Sequence, residues 1–192
     1  MTAQHEHVEY GTVYTYDEYR KLEEASLERH EYHGGRIYLM SGGTSAHSRI
    51  KVNLIAELER QVRGPCVVYD ADMLVRQSER DASYPDASVT CDERDQEPDL
   101  QEIASPRLVV EVLSSSTVAY DLTTKLDLWQ GMPSLEAILY IDSRAWCPAW
   151  LWLRGPGGDW RESRPDELID IVPLDLKLDL ADLYRGSGRE RQ

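Results

Sequence analysis

Glu111 stands inside the apolar run Leu108-Val109-Val110-Glu111-Val112-Leu113, which reads as a central strand. A charge in that setting is costly unless it is paired or binds a cation. Asp86, in Tyr84-Pro85-Asp86-Ala87-Ser88-Val89, is a second acid flanked by strand-forming residues. Two carboxylates on neighbouring strands suit a hard divalent ion such as Mg²⁺, which takes a few oxygen ligands and keeps several waters. Such an ion lowers the pKa of water and offsets charge developing on a phosphoryl group. Lys125 follows Glu111 by 14 residues on the next helical run, and a cation there would stabilise the same charge. Glu31, on a hairpin, and His47, near a helix start, are further candidates. The plainer alternatives are a buried salt bridge for Glu111, a turn acid after proline for Asp86 and a surface pair with Asp121 for Lys125. For Glu31 the alternative is a hairpin-surface acid, and for His47 a capping or packing histidine. No Gly-rich phosphate loop, G-x-S-x-G elbow or dinucleotide fingerprint is present.

The elements that must position these groups follow from periodicity. Residues 16–28 space Tyr19, Leu22 and Ala25 as a surface helix with Thr15 as its cap. Gly34-Gly35 separates two strand-like runs within residues 31–40, as a tight hairpin requires. Residues 45–62 carry Ile50, Leu54, Ile55, Leu58 and Val62 as the apolar stripe of a helix that Gly64-Pro65 stops. Residues 67–75 then suggest one strand or a bent pair, residues 84–91 a second strand and 108–113 a third. After the linker 114–117 comes a helix over 119–130, stopped by Gly131-Met132-Pro133, and a buried strand over 137–142. A hairpin around Gly155-Pro156-Gly157-Gly158, a strand over 168–172 and a short helix near 180–184 close the chain. The order predicts a mixed α/β (α+β) fold with helices packed on a curved mixed sheet.

At 192 residues one domain is the expectation, since roughly 100–200 residues enclose one core. No apolar run approaches the ~18 residues of a membrane helix, and the polar start has no signal-peptide core, so a cytoplasmic protein is expected. Cys66, Cys91 and Cys147 lack any C-x-x-C pair and read as core thiols. His5, His7, His30 and His33 read as solvated. Trp150 and Trp152 alternate as one face of a hairpin or an oligomer interface more readily than as a base-stacking platform. The formal charge of -14 disfavours a protein that grips nucleic acid with a broad basic face. That charge is segregated: eight acids face three bases in residues 1–31 and again in 159–182, and six face one in 92–102. The stretches holding Asp86, Glu111 and Lys125 are nearly neutral.

Tyr84-Pro85-Asp86, Glu111-Val112-Leu113-Ser114-Ser115-Ser116-Thr117, Asp121 and Lys125, in this order and spacing, resemble the Uma2 family, a restriction-endonuclease branch of the PD-(D/E)xK nuclease superfamily. Glu31-Tyr32-His33-Gly34-Gly35-Arg36 and His47-Ser48-Arg49-Ile50 resemble that family's N-terminal half, so the resemblance spans about residues 16–184. It implies a restriction-endonuclease-like core over 16–184, with tails at 1–15 and 185–192. It also implies that Asp86, Glu111 and the backbone carbonyl of Val112 bind Mg²⁺ or Mn²⁺ for water attack on DNA, that Glu31 adds a carboxylate, and that the protein is a homodimer. The superfamily's lysine two residues after the glutamate is Leu113 here, and the resemblance moves its role to Lys125. Two other functions stand beside a DNA endonuclease: a catalytically silent binding or assembly protein of the same fold, and a phosphodiesterase for a small substrate.

Overall fold

The computed structural model describes residues 8, 9, 11–40, 42–115 and 118–191. His5, His7, and Ser116-Thr117 of the expected linker lie outside them.

The first helix, α1 (Tyr16–Ala25), opens on a reciprocal cap. The Thr15 hydroxyl accepts the Glu18 N–H, and the Glu18 carboxylate accepts the Thr15 N–H. It ends at Ala25, three residues short of the predicted limit, and buries Tyr16, Tyr19 and Leu22. β1 (His30–His33) and β2 (Arg36–Leu39) form the expected hairpin. Gly34 and Gly35 turn at φ +58° and +82°, a conformation that glycine adopts without steric cost. α2 (Ser45–Gln61) is capped by the Thr44 hydroxyl, which accepts the His47 N–H, and buries Ile50, Leu54 and Leu58.

Next come β3 (Val67–Asp70), β4 (Leu74–Arg76), β5 (Asp81–Ser83), β6 (Ala87–Thr90), β7 (Glu102–Ile103) and β8 (Pro106–Leu113). A helical segment over 118–130, α3, contains a π-helical stretch, Asp121–Lys125. β9 (Ala137–Asp142), the hairpin β10 (Trp150–Arg154) and β11 (Trp160–Ser163), the pair β12 (Leu168–Ile171) and β13 (Leu176–Asp179), and the helix α4 (Leu180–Tyr184) complete the chain.

The strands form a mixed α/β fold. A six-stranded sheet runs β11-β10-β9-β8-β6-β3, a five-stranded sheet runs β2-β1-β5-β4-β7, and β12 pairs with β13. β8 lies inside the larger sheet, parallel to β9 and antiparallel to β6. Its side chains alternate between two cores, as the period of a strand dictates. Leu108, Val110 and Val112 join Ile50, Leu54 and Leu58 of α2, while Val109 and Leu113 join Trp129, Ile138 and Tyr140. Glu111 shares the parity of Val109 and Leu113 and so faces α3.

Four expectations need correction. Residues 67–75 are neither one strand nor a bent pair: β3 and β4 belong to different sheets, with a turn between them closed by the Met73 N–H on the Asp70 carbonyl. The second strand does not begin at Tyr84. Pro85, which lacks an N–H, interrupts the pairing, and the chain passes there from β5 in one sheet to β6 in the other. Cys66 and Cys91 are joined by a disulfide rather than being free thiols, because the β3–β6 register that faces Val67 with Thr90 sets them side by side. Such a bond is uncommon in a reducing cytosol. His30 and His33 are buried rather than solvated, since each meets a carboxylate, Glu23 at 2.9 Å and Glu31 at 3.2 Å. Among the described residues, no helix is long and apolar enough to cross a membrane.

Candidate active site

Lys125 is the point at which three elements meet. Its Nζ donates to Glu31 Oε1 of β1 at 2.8 Å and lies 2.9 Å from Glu111 Oε1 of β8. The indole N–H of Trp129, one turn further along α3, donates to the same Glu111 oxygen at 3.1 Å. The π-helical stretch inserts an extra residue into the helical turn and buries both Asp121 and Lys125. It is held by the Leu126 N–H on the Asp121 carbonyl and by the Tyr140 hydroxyl, which donates to that carbonyl at 3.0 Å. Lys125 is therefore no surface partner of Asp121.

Asp86 approaches from the passage between β5 and β6. Its Oδ2 accepts the Val112 N–H at 2.7 Å, which ties it to β8 one residue past Glu111. Two side chains of α2 reach it: Lys51 Nζ lies 3.1 Å from Oδ1, and His47 Nε2 3.5 Å from Oδ2. Glu31, His47, Lys51, Asp86, Glu111 and Lys125 line one open cleft of about 660 Å³. Gly43 makes room for the imidazole, since a Cβ there would stand 2.6 Å from His47 Nδ1. Gly43→Ala is accordingly expected to turn the ring away from Asp86 while leaving the fold intact. The check is a shift of the His47 ring-nitrogen NMR signals with the amide spectrum otherwise preserved; unchanged ring signals would contradict it.

The electrostatics are lopsided. Burial pushes the Glu111 carboxyl up to about 8: it outweighs the Lys125 charge, and Asp86, Asp121 and Glu31 add to it. Burial also raises Glu31, but Lys125 and His33 overcome that and hold it at about 2. At Asp86 the burial effect is overcome by His47, Lys51 and the Val112 N–H, leaving the carboxyl below its usual range. Burial disfavours the Lys125 ammonium, yet Glu111, Glu31 and Asp121 keep its pKa well above that of a free lysine. Four carboxyl groups, with Glu111 favoured in its neutral form, thus share this region with two ammonium groups. Among the described residues no three His, Cys, Asp or Glu groups stand close enough to cage an ion. Asp86 and Glu111, largely buried at the wall of the cleft, are hard oxygen donors of the kind that would suit Mg²⁺ or Mn²⁺.

The structure therefore gathers every residue singled out from the sequence, Glu31, His47, Asp86, Glu111, Val112 and Lys125, around one cleft. Sequence reasoning missed Lys51 and Trp129. Both carried a signal: Lys51 follows His47, and Trp129 follows Lys125, by one helical turn. Trp150, Trp152 and Trp160 behave as hairpin residues, with Trp152 edge-on to Tyr140 at 5.2 Å and Trp150 beneath Arg164, while Trp146 packs on Tyr184.

Comparison with known proteins agrees with this architecture. The family described as "Uma2: Putative restriction endonuclease" matches residues 16–181. The uncharacterized protein slr1290 of Synechocystis sp. is 34% identical over 174 residues, covering 88% of this chain and 90% of its own. A second Synechocystis protein, sll1609, also uncharacterized, is 29% identical over 134 residues, 68% of this chain and 75% of that one. The crystal structure of a "putative nuclease belonging to DUF820" from Anabaena variabilis superposes with a TM-score of 0.69 at 21% identity, covering 88% of this chain and 97% of that one. That likeness establishes a shared restriction-endonuclease-like fold. With the family match spanning most of its length, the chain belongs to the Uma2 family.

Proposed function

We propose that this protein is a metal-dependent endonuclease that hydrolyses DNA phosphodiester bonds. The observation that carries this reading is the Glu31–Lys125–Glu111 bridge, which lines one cleft together with Asp86. Asp86 and Glu111 would hold Mg²⁺ or Mn²⁺, with the Val112 carbonyl as a further oxygen, and such an ion polarises the phosphate and acidifies water.

The chain's own groups divide the remaining work. Lys125 stays protonated far above neutral pH, so it acts as a fixed positive charge beside the phosphate and not as a base. Glu31, ionised throughout the neutral range, holds that ammonium in place. Leu113, where the superfamily pattern has lysine, is fully buried in the core, and Lys125 brings an ammonium to Glu111 from α3 instead. His47, beside Asp86 on the cleft wall, is placed to pass a proton to the leaving oxygen. The net negative charge makes contact with DNA weak, and the contacts that cleft cations make to phosphate would be salt-sensitive.

The test is cleavage of plasmid, single-stranded DNA and a small aryl phosphodiester with Mg²⁺ or Mn²⁺, by wild type and Asp86→Ala. Metal-dependent DNA cutting that Asp86→Ala lowers by on the order of 100-fold is expected. No cutting above that variant on any substrate would make this a silent member of the fold. Turnover of the small diester alone would make it a small-substrate phosphodiesterase.

A further inference from the structure

We propose that Lys51 is a metal-gated phosphate contact: it occupies Asp86 while no cation is bound and, once displaced, engages the backbone phosphate of the substrate. This rests on the metal-dependent reading above and concerns a residue to which that reading gives no role. The two oxygens of Asp86 are in different situations. Oδ2 is committed to the Val112 N–H at 2.7 Å and neighbours His47, whereas Oδ1 faces the Lys51 ammonium at 3.1 Å. With Oδ2 already accepting the Val112 N–H, Oδ1 is the less engaged oxygen for a cation, and the Lys51 ammonium sits beside it at 3.1 Å. Two positive charges cannot share this oxygen at close range without strong repulsion.

Lys51 is the ammonium free to yield. Lys125 is buried and fixed between Glu31 and Glu111, but the Lys51 side chain is 28% exposed and pairs with one carboxylate through a flexible four-carbon stem. Its helix keeps it in the cleft after displacement, because His47 and Lys51 lie one turn apart on the same wall. The cleft is open and Lys51 lines it, so an anionic phosphodiester drawn to the cation would come within its reach. One lysine thereby neutralises Asp86 in the empty site and the substrate in the loaded one.

Lys51→Gln separates the two roles, since its effects on metal and on DNA have opposite signs. Calorimetric titration with Mn²⁺ should show roughly 2- to 5-fold tighter binding than wild type, the scale of a partly exposed ion pair removed from competition. Binding of a DNA duplex in Ca²⁺ should weaken by on the order of tenfold. Its log–log dependence on salt should become shallower by about 0.9, the loss of one phosphate contact. Lys51→Arg should keep the wild-type salt slope. Equal Mn²⁺ affinity in Lys51→Gln, or an unchanged salt slope, overturns this inference alone. Absence of Mn²⁺ binding in wild type overturns the metal-dependent reading as well.

Discussion

Replacing Lys125 with methionine is expected to lower cleavage by on the order of 10²- to 10³-fold and, at pH 7, stability by about 3–5 kcal/mol. Methionine retains most of the packing volume, so what is lost is the ammonium that pairs with the ionised Glu31 and lies against the Glu111 carboxyl. Breaking a buried pair from one side leaves the other charges desolvated and uncompensated, which costs far more than the pair's net worth. The loss should depend on pH with a definite sign. Glu31 has its pKa lowered from 4.5 to about 2, so it contributes stability that is present above pH 4.5 and disappears as pH falls toward 2. Lys125 is the main source of that contribution, and Lys125→Met should therefore be much less destabilising at pH 3 than at pH 7. Equal destabilisation at both, measured by denaturant unfolding, would mean that Lys125 is held by packing and not by its carboxylates.

Glu111→Gln is expected to do the opposite to stability while abolishing the activity. The Glu111 pKa is raised from 4.5 to about 8, so the neutral carboxyl favours the folded state below pH 4.5. That advantage fades as pH rises toward 8, at about 1.4 kcal/mol for each unit of separation between folded and unfolded values. Without divalent metal the wild type should lose thermal stability from pH 5 to pH 8, and Glu111→Gln should remove much of that slope and melt higher at pH 8. The amide still accepts the Trp129 N–H, so packing is little disturbed. Adding Mn²⁺ should raise the wild-type Tm most at pH 8, where Glu111 is ionised and would ligate the ion, and leave the variant unmoved. A variant less stable than wild type at pH 8 without metal would show that Glu111 serves the fold and not the site.

The positions of these groups were legible in the chain to the extent that local periodicity controls them. The parity of residues 108–113 placed Glu111 on one face of an interior strand, and the apolar spacing of residues 45–62 placed His47 on the first turn of α2. What periodicity does not encode is which sheet a short strand joins. β3 and β4, or β5 and β6, are a few residues apart in sequence and lie in different sheets, because long-range pairing overrides local propensity. That same division puts Asp86 at the passage between sheets instead of within a strand. The Cys66–Cys91 bond was hidden for the same reason, since it follows from the β3–β6 register and not from spacing. Lys51 and Trp129 were overlooked although each stands one turn from a residue already chosen.

Metal-dependent hydrolysis at Glu111 is tested most directly by cutting of a DNA duplex across a Mn²⁺ titration, with wild type and Glu111→Gln compared at pH 8. Wild-type cutting is expected to rise from nothing in chelator to a plateau with Mn²⁺, and Glu111→Gln to fall by at least on the order of 100-fold at every concentration. Cutting that persists in chelator, or a Glu111→Gln protein that cuts as the wild type does, would contradict it.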